Sequence, residues 1–202
     1  MPPQDAVHLE RRIGEDIAPL VPEIAALRAA ILREWPYLYA EDRAFQRDAM
    51  SASIGSPRAL ALLALFGSRL VGVSTGVPMA DEVEELRLPL AEAGMDPREA
   101  FYFGESALLP EFRNRGIGAA FFREREEHAA SLGYRWAVFC AVERSPADPR
   151  CPGGWIPLDG FWRRMGFAPS DITTSLSWKE VGEGVETPKP VRFWLKTMGV
   201  RP

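Results

Sequence analysis

Cysteine and histidine are scarce in this sequence. Its 202 residues include two cysteines, Cys140 and Cys151, and two histidines, His8 and His128. Their spacing matches neither a disulfide framework nor a metal-ligand cluster, and no partner pattern around either histidine suggests a catalytic triad. We therefore expect a reduced, cytoplasmic setting without a bound metal, with both histidines in surface or packing positions.

Long apolar runs and a surplus of positive charge are also absent. Residues 1–5 contain no basic stretch followed by an apolar core, and no apolar run approaches the roughly 18 residues that cross a bilayer. The formal net charge is −4, whereas binding to a nucleic-acid backbone needs clustered lysine and arginine in excess. We expect no secretion, no membrane insertion and no nucleic-acid partner.

Apolar residues are abundant enough for one sizeable core. They make up 47% of the chain, so we expect a single domain over residues 1–202. Its first part is predicted to contain an edge strand, two helices and a β-hairpin, because the apolar spacing changes from alternating to helical and back. These elements span residues 6–13, 21–35, 41–52, 59–66 and 70–75.

A long interruption separates the hairpin from the next apolar strand. Residues 80–100 carry an acidic run, a short helical stretch at 86–93 and the helix-breaking pair Asp96-Pro97. We interpret this segment as an excursion over the surface. A loop placed before a central strand can also shape a pocket, and its acidic residues would favour a cationic amine there.

Two apolar strands joined by a helix come next and predict a right-handed β-α-β crossover. These elements span residues 101–109, 117–132 and 134–142. On the helix, Glu124, Arg125, Glu126 and Glu127 are expected to form the solvated face. A proline-rich loop, a short helix and two final strands with a long connection complete the chain. They span residues 144–157, 158–165, 172–180 and 191–197.

The turn that leads into the crossover helix carries the most informative motif. Residues 113–118 read Arg-Asn-Arg-Gly-Ile-Gly. A turn of small residues lets backbone N–H groups converge, and the start of the following helix adds unpaired amides and the positive end of its dipole. Arg113 and Arg115 can add charge-assisted hydrogen bonds. The pattern predicts a site for a phosphate-bearing ligand, with an ordinary structural turn as the alternative.

From about residue 101 to residue 167 the order of segments resembles the GNAT superfamily of N-acetyltransferases. The pyrophosphate motif of that family, Arg or Gln, two residues, Gly, one residue, then Gly or Ala, matches Arg113, Gly116 and Gly118, and an aromatic helix ending in Gly166-Phe167 is similar to a second family segment. The resemblance implies an α/β fold with α+β layering: a mixed, mostly antiparallel sheet of about seven strands with a parallel, splayed central pair, flanked by helices.

By this resemblance the chain is an acyltransferase that binds acetyl-CoA and transfers its acetyl group directly to a primary amine of a small molecule or peptide in a ternary complex. The pantetheine arm would lie between the splayed strands and bond to the backbone of Ala107, Leu108 and Leu109, with an ordinary buried strand as the alternative. The pyrophosphate would lie on the turn. The residues expected there are Arg113, Asn114, Arg115, Gly116, Ile117, Gly118 and Ala119. A homodimer is compatible with the resemblance.

Direct attack of an amine on a thioester needs a proton acceptor near the reacting atoms. Glu105 is the candidate, because it is a carboxylate within an otherwise apolar strand near the expected thioester, and burial would make it a stronger base. The alternative is a structural carboxylate paired with an arginine. Cys140 could in principle be acylated, because a strand thiol near a thioester is a possible nucleophile, but we favour a buried structural thiol.

GNAT enzymes often place a tyrosine in the aromatic helix to protonate the departing CoA thiolate, and Trp162 takes that place here. An indole N–H donates a hydrogen bond but is no general acid near neutral pH. Water or a tyrosine elsewhere would then serve, or the thiolate would leave unassisted. The substitution also favours a second hypothesis, an acyl-CoA-binding sensor or interaction module without turnover. A nucleotide-binding protein fits less well, since the turn has neither a P-loop ending nor a third glycine.

Overall fold

The computed structural model describes residues 6–40 and 55–199, and its seven strands form one mixed sheet. They are β1 (Val7–Ile13), β2 (Leu60–Phe66), β3 (Arg69–Pro78), β4 (Ala100–Leu108), β5 (Trp136–Val142), β6 (Ala168–Trp178) and β7 (Thr187–Thr197). Their order across the sheet is β1-β2-β3-β4-β5-β7-β6. Neighbouring strands are antiparallel except β4 and β5, which are parallel. The predicted mixed sheet with a parallel central pair is confirmed.

Helices cover both faces of this sheet. In the described ranges the α-helices are α1 (Val21–Ile31), α2 (Glu84–Glu92), α3 (Ile117–Ser131) and α4 (Asp159–Arg164). The first two pack on one face, which we call the α1 face, and the last two on the opposite α3 face. The helix predicted at residues 41–52 lies outside the described residues.

The apolar run of β2 is continuous because the strand is covered on both sides. Leu60 and Leu62 point into the core under α3, whereas Ala61 and Leu63 point into the core under α1. Successive side chains of a strand point to opposite faces, so a central strand needs apolar residues at every position. The turn to β3 is formed by Gly67 with a φ of 61°, and the predicted hairpin is confirmed.

The segment at residues 80–100 is more than the surface excursion that the sequence predicted. It contains α2, whose Leu86 and Leu90 are buried against Val138 and Phe193. The four-residue spacing of the two leucines gives this otherwise acidic helix one apolar stripe. The segment therefore contributes to the core of the α1 face.

The last two strands begin earlier than predicted. β6 starts at Ala168 rather than at residue 172, and β7 at Thr187 rather than at residue 191. Pro188 and Pro190 suggested a loop, but the Pro190 carbonyl accepts a hydrogen bond from the Glu143 N–H (2.9 Å). The nitrogen and the carbonyl of a strand residue point to the same side, so the nitrogen of Pro190 also faces the end of β5. The sheet requires no N–H donor at that position. Around these prolines, pairing with β6 is continuous from Thr187 to Arg192.

β4 and β5 part after a short parallel contact. Their register contains the pairs Ala100 with Trp136, Phe101 with Ala137 and Tyr102 with Val138. From residue 103 onward β4 keeps β3 as its neighbour and β5 keeps β7, so a gap opens between the two parallel strands. The turn at residues 109–116 follows the end of β4 and leads into α3 at the wide end of this gap.

Candidate active site

A β-bulge places Glu105 where β4 leaves β5. In the β3–β4 register, residues 104 and 105 both lie opposite the single residue Thr75. The Glu105 N–H donates to the Thr75 hydroxyl (3.2 Å), and a Cβ on Gly104 would stand 2.5 Å from the same oxygen, which favours glycine there. Because of the extra residue, the side chains from Glu105 onward point to the opposite face of the sheet from the one that regular alternation would give. Glu105 therefore points to the α1 face.

On that face Glu105 forms a bidentate ion pair with Arg28 of α1. The side chain of Arg28 is 7% exposed and that of Glu105 is 31% exposed. The expected burial of the carboxylate is therefore partial, and the arginine partner considered as the alternative is present. The sequence did not identify Arg28 as a site residue. It lies four residues after Ile24 within the apolar stripe of α1, where a buried charge needs a partner.

Three partly buried proton-bearing groups lie near this ion pair on the α1 face. Burial raises the pKa of Tyr37 and Tyr102 above the ordinary value of a phenol, and the negative charge of Glu105 adds to both shifts. Burial also raises the pKa of the Cys140 thiol, against a hydrogen bond with Tyr102 that favours the thiolate. All three groups keep their protons at neutral pH, so Cys140 is a poor nucleophile.

The turn before α3 has the geometry of an anion site. Asn114 and Gly116 have φ values of 61° and 81°, and the first helical hydrogen bond runs from the Ala120 N–H to the Gly116 carbonyl (3.0 Å). The N–H groups of residues 117–119 therefore have no partner within the helix, and no side chain caps its start. Such amides at the positive end of a helix dipole attract phosphate.

The two arginines of the turn make different contacts. The Nε of Arg113 donates to the Leu108 carbonyl (3.1 Å), and its Nη2 donates to Glu34 in the segment after α1 (2.9 Å). The guanidinium of Arg115 lies 5.3 Å from the centroid of the Phe112 ring and is exposed. Arg113 therefore ties the turn to the end of β4, whereas Arg115 can still move toward a bound anion.

The strand residues predicted to hold the pantetheine arm lie at the edge of the gap. Ala107 is fully buried on the α1 face, Leu108 packs on the α3 face, and Leu109 contacts both cores. The Leu109 N–H donates to the Val71 carbonyl of β3 (3.0 Å). These residues and the turn at 113–119 thus form one continuous edge that leads from the gap to the start of α3.

Aromatic packing fills the α3 face beside the turn. A Cβ added to Gly118 would meet Cζ of Phe161 on α4 at 3.6 Å, an ordinary contact distance. Next to Phe161, the ring of Trp162 packs edge-on to Phe139 and Trp194, with centroids 5.2 Å and 5.0 Å away. Trp162 therefore supports the core under α4.

Arg125 is buried, so the prediction that it lies on the solvated face of α3 is wrong. Its side chain is 1% exposed and lies between the rings of Phe103 and Phe122, 4.4 Å and 4.7 Å from their centroids. Phe121 and Phe122 precede it by four and three residues, so Arg125 continues their apolar stripe. Burial lowers the pKa of Arg125 to about 9, which leaves it charged at neutral pH.

Three segments beside the gap meet at Glu180, which is 1% exposed. Its carboxylate pairs with Arg144 and Arg150 of the loop after β5, and lies 3.7 Å from Lys189 of β7. Arg144 also donates to the Pro36 carbonyl (2.7 Å). The segment after α1, the proline-rich loop and the β6–β7 turn are therefore held together by one buried carboxylate, which our sequence analysis did not identify.

The histidines pack or lie at the surface. His128 is 6% exposed, with its Nε2 3.0 Å from the Arg58 carbonyl, and His8 contacts Glu10 at 3.3 Å. Within residues 6–40 and 55–199, no cluster of three or more histidine, cysteine, aspartate or glutamate side chains is arranged to hold a metal ion. Over the same residues, no helix combines the length and apolar character needed to span a membrane.

Comparison with known proteins identifies the fold of this chain. No protein-family model matches the chain, and no curated protein sequence matches it. The structure is similar to many solved structures, among them three acetyltransferases. The acetyltransferase of GNAT family from Streptococcus pneumoniae is 14% identical, with 95% of this chain and 100% of that chain covered and a TM-score of 0.55. A ribosomal-protein-alanine N-acetyltransferase from Brucella melitensis is 14% identical, with 93% of this chain and 99% of that chain covered and a TM-score of 0.59. Arabidopsis thaliana NAA60 in complex with acetyl-CoA is 12% identical, with 96% of this chain and 99% of that chain covered and a TM-score of 0.59. The chain therefore has the fold of the GNAT superfamily.

Proposed function

We propose that this protein is a cytoplasmic, acetyl-CoA-dependent N-acetyltransferase. The turn at residues 113–119 carries the proposal, because its unpaired helix amides lie at the wide end of a gap between two parallel strands. Phosphate fits such amides, and an extended arm with amide groups fits the strand backbone along the gap. The similar Arabidopsis structure is a complex with acetyl-CoA. Both described cysteines are free thiols, which suits a reducing compartment.

In this proposal the donor lies along the edge from β4 to α3. The pyrophosphate accepts hydrogen bonds from the N–H groups of residues 117–119, while residues 113–116 shape the turn. Arg115 adds a charge-assisted contact to the same phosphates. The pantetheine arm pairs with the backbone of residues 107–109, so that the thioester comes close to the bulge that bears Glu105.

Glu105 is the proposed proton acceptor. The amine nitrogen of the acceptor attacks the thioester carbonyl carbon, its proton passes to the carboxylate, and CoA leaves as the thiolate. The ion pair with Arg28 fixes the direction of the carboxylate, and each of its oxygens keeps a lone pair for another donor. The acceptor is a primary amine of a small molecule or peptide. A negative carboxylate also attracts the protonated form of that amine.

A second function is an acyl-CoA-binding sensor without turnover. Two observations favour it. Trp162 stands in the aromatic helix, where an indole cannot protonate a thiolate, and the carboxylate of Glu105 is already held by Arg28. Both functions use the same donor site, so they differ only in whether the thioester is consumed.

Release of the CoA thiol from acetyl-CoA, measured over a broad panel of primary amines, tests the proposal. We expect turnover by the unmodified chain and a loss in Glu105→Gln of about a hundredfold in kcat, with acetyl-CoA affinity nearly unchanged. Glu111→Gln is the matched control, since Glu111 is an exposed carboxylate that pairs only at the surface. Binding without turnover on any amine would support the sensor, and absence of binding would exclude both functions.

A further inference from the structure

Arg125 is a buried cation next to the bulge that bears Glu105. Its Nη1 donates to the Thr75 carbonyl (3.3 Å), and its Nε donates to the Phe121 carbonyl (3.3 Å). Thr75 is the residue of β3 that lies opposite the bulge, and its hydroxyl accepts the N–H of Glu105 (3.2 Å). One residue of β3 therefore joins the cation on α3 to the backbone of the proposed base.

Stability alone does not explain a charge at this position. The side chain is 1% exposed, and the hydrogen bonds in which it donates go to two backbone carbonyls rather than to a carboxylate. Contacts with Phe103 and Phe122 offset part of the desolvation. An apolar side chain of similar length would fill the same space without burying a charge.

Arg125 lies on the helix that begins at the anion site. Eight residues separate it from Ile117, a distance of about 12 Å along a helix axis. The same rigid element therefore offers amides to the donor at its start and contacts the bulge two turns later. A shift of α3 relative to β4 would change the distance between the donor and Glu105.

We propose that Arg125 is a positioning residue, which rests on the proposed function: it holds the bulge of β4 against α3, so that Glu105 meets the thioester of a donor bound at the start of the same helix. A group that acts in this way changes the rate of transfer more than the binding of the donor, because misplacement of about 1 Å can cost about a hundredfold in rate.

Three variants of the full chain separate positioning from packing. Arg125→Met removes the charge and both hydrogen bonds but keeps an unbranched apolar side chain. Arg125→Lys keeps the charge, but a single ammonium cannot reproduce the flat guanidinium between two rings with donors to two carbonyls. Arg123→Met is the control, because Arg123 is exposed on the same helix and its replacement removes the same charge.

Amide exchange followed by NMR reports on the bulge without any ligand. In Arg125→Met we expect the N–H of Glu105 to exchange about tenfold faster, with the N–H of Ala129, buried on α3, within about twofold of its normal rate. In the amine assay we expect kcat to fall about tenfold or more and the KM for acetyl-CoA to stay within about threefold. Arg125→Lys should also accelerate exchange of the Glu105 N–H and lower kcat. It replaces Arg125→Met in the comparison if that variant does not fold.

Two results would overturn the inference. Exchange of Glu105 and kcat at the level of the Arg123→Met control would show that the contact has no effect on the bulge. Equal acceleration at Glu105 and Ala129, with kcat and KM altered together, would show a purely structural role. If the unmodified chain neither binds nor consumes acetyl-CoA, the proposed function fails and the reaction part of the inference fails with it, whereas exchange at Glu105 still decides whether Arg125 holds the bulge.

Discussion

At the scale of single residues, protonation decides whether the Cys140 thiol can react. Burial raises the pKa of Cys140 above its ordinary value of 9.0, and only a thiolate is a good nucleophile. We expect iodoacetamide near pH 8 to alkylate Cys151 in the native protein well before Cys140, with both modified equally in urea. Peptide mass spectrometry measures the two rates. Equal rates in the native protein would contradict the raised pKa of Cys140.

The same shift has a consequence for stability. Native Cys140 keeps a proton that the unfolded chain releases, so the unfolded state binds fewer protons above pH 9.0. Its contribution to the free energy of unfolding is therefore fully present below that pH and is lost as the pH rises further.

Arg28 and Arg125 show which residues a single sequence does not identify. Both occur at helical spacing from apolar residues, in α1 and α3. A long arginine side chain at such a position can bury its stem and keep its charge in water, or bury the charge as well. The choice depends on partners that come from β3 and β4, which helical periodicity does not contain. Glu105 and Gly118 were identifiable because a polar residue inside an apolar strand and a glycine in a motif are local signals.

At the scale of elements, the turn before α3 depends on a left-handed residue. Gly116 has a φ of 81°, and Gly94, after α2, has a φ of 79°, with nothing within 4 Å of an added Cβ at either position. Alanine at either site should lower the free energy of unfolding by about 1 kcal/mol, because a Cβ disfavours this conformation.

Only Gly116→Ala should also weaken acetyl-CoA binding, since it changes the direction of the amides at the start of α3. Gly94→Ala is the matched control for backbone strain. Urea unfolding and calorimetric titration of both variants check the pair of effects. Equal affinities in the two variants would remove the turn from the donor site.

Element types were predictable where the periodicity is strong, as in β1, α1, the β2–β3 hairpin and α3. The start of β7 was not predictable, because prolines signal a loop. Only the sheet register shows that these prolines precede Val191, where the pairing of β7 with β5 begins. The burial of α2 was also missed, since its acidic residues dominate the local composition and two leucines form its apolar stripe. In both elements the deciding partner lies far away in the chain.

At the scale of the whole molecule, Glu180 connects segments that are distant in sequence. Glu180→Gln should lower the free energy of unfolding by about 3 kcal/mol, because it leaves the largely buried Arg144 without its carboxylate partner. Lys189 keeps its ion pair with Glu183. Glu111→Gln is the control: its partner Arg69 is exposed, and the change should stay below about 0.5 kcal/mol. Urea titration measures both, and similar values for the two variants would contradict a structural role for Glu180.

We propose that the start of α3 binds the pyrophosphate of acetyl-CoA, and calorimetric titration of acetyl-CoA into the purified protein tests this site. Gly118→Glu places a carboxylate at the proposed phosphate position, where an added Cβ meets only an ordinary contact with Phe161. Ala130→Glu adds the same charge at an exposed position near the far end of the same helix. We predict binding to the unmodified chain and to Ala130→Glu, and loss of binding in a folded Gly118→Glu. Absence of binding to the unmodified chain at millimolar acetyl-CoA, or undiminished binding to Gly118→Glu, would contradict a pyrophosphate site at the start of α3.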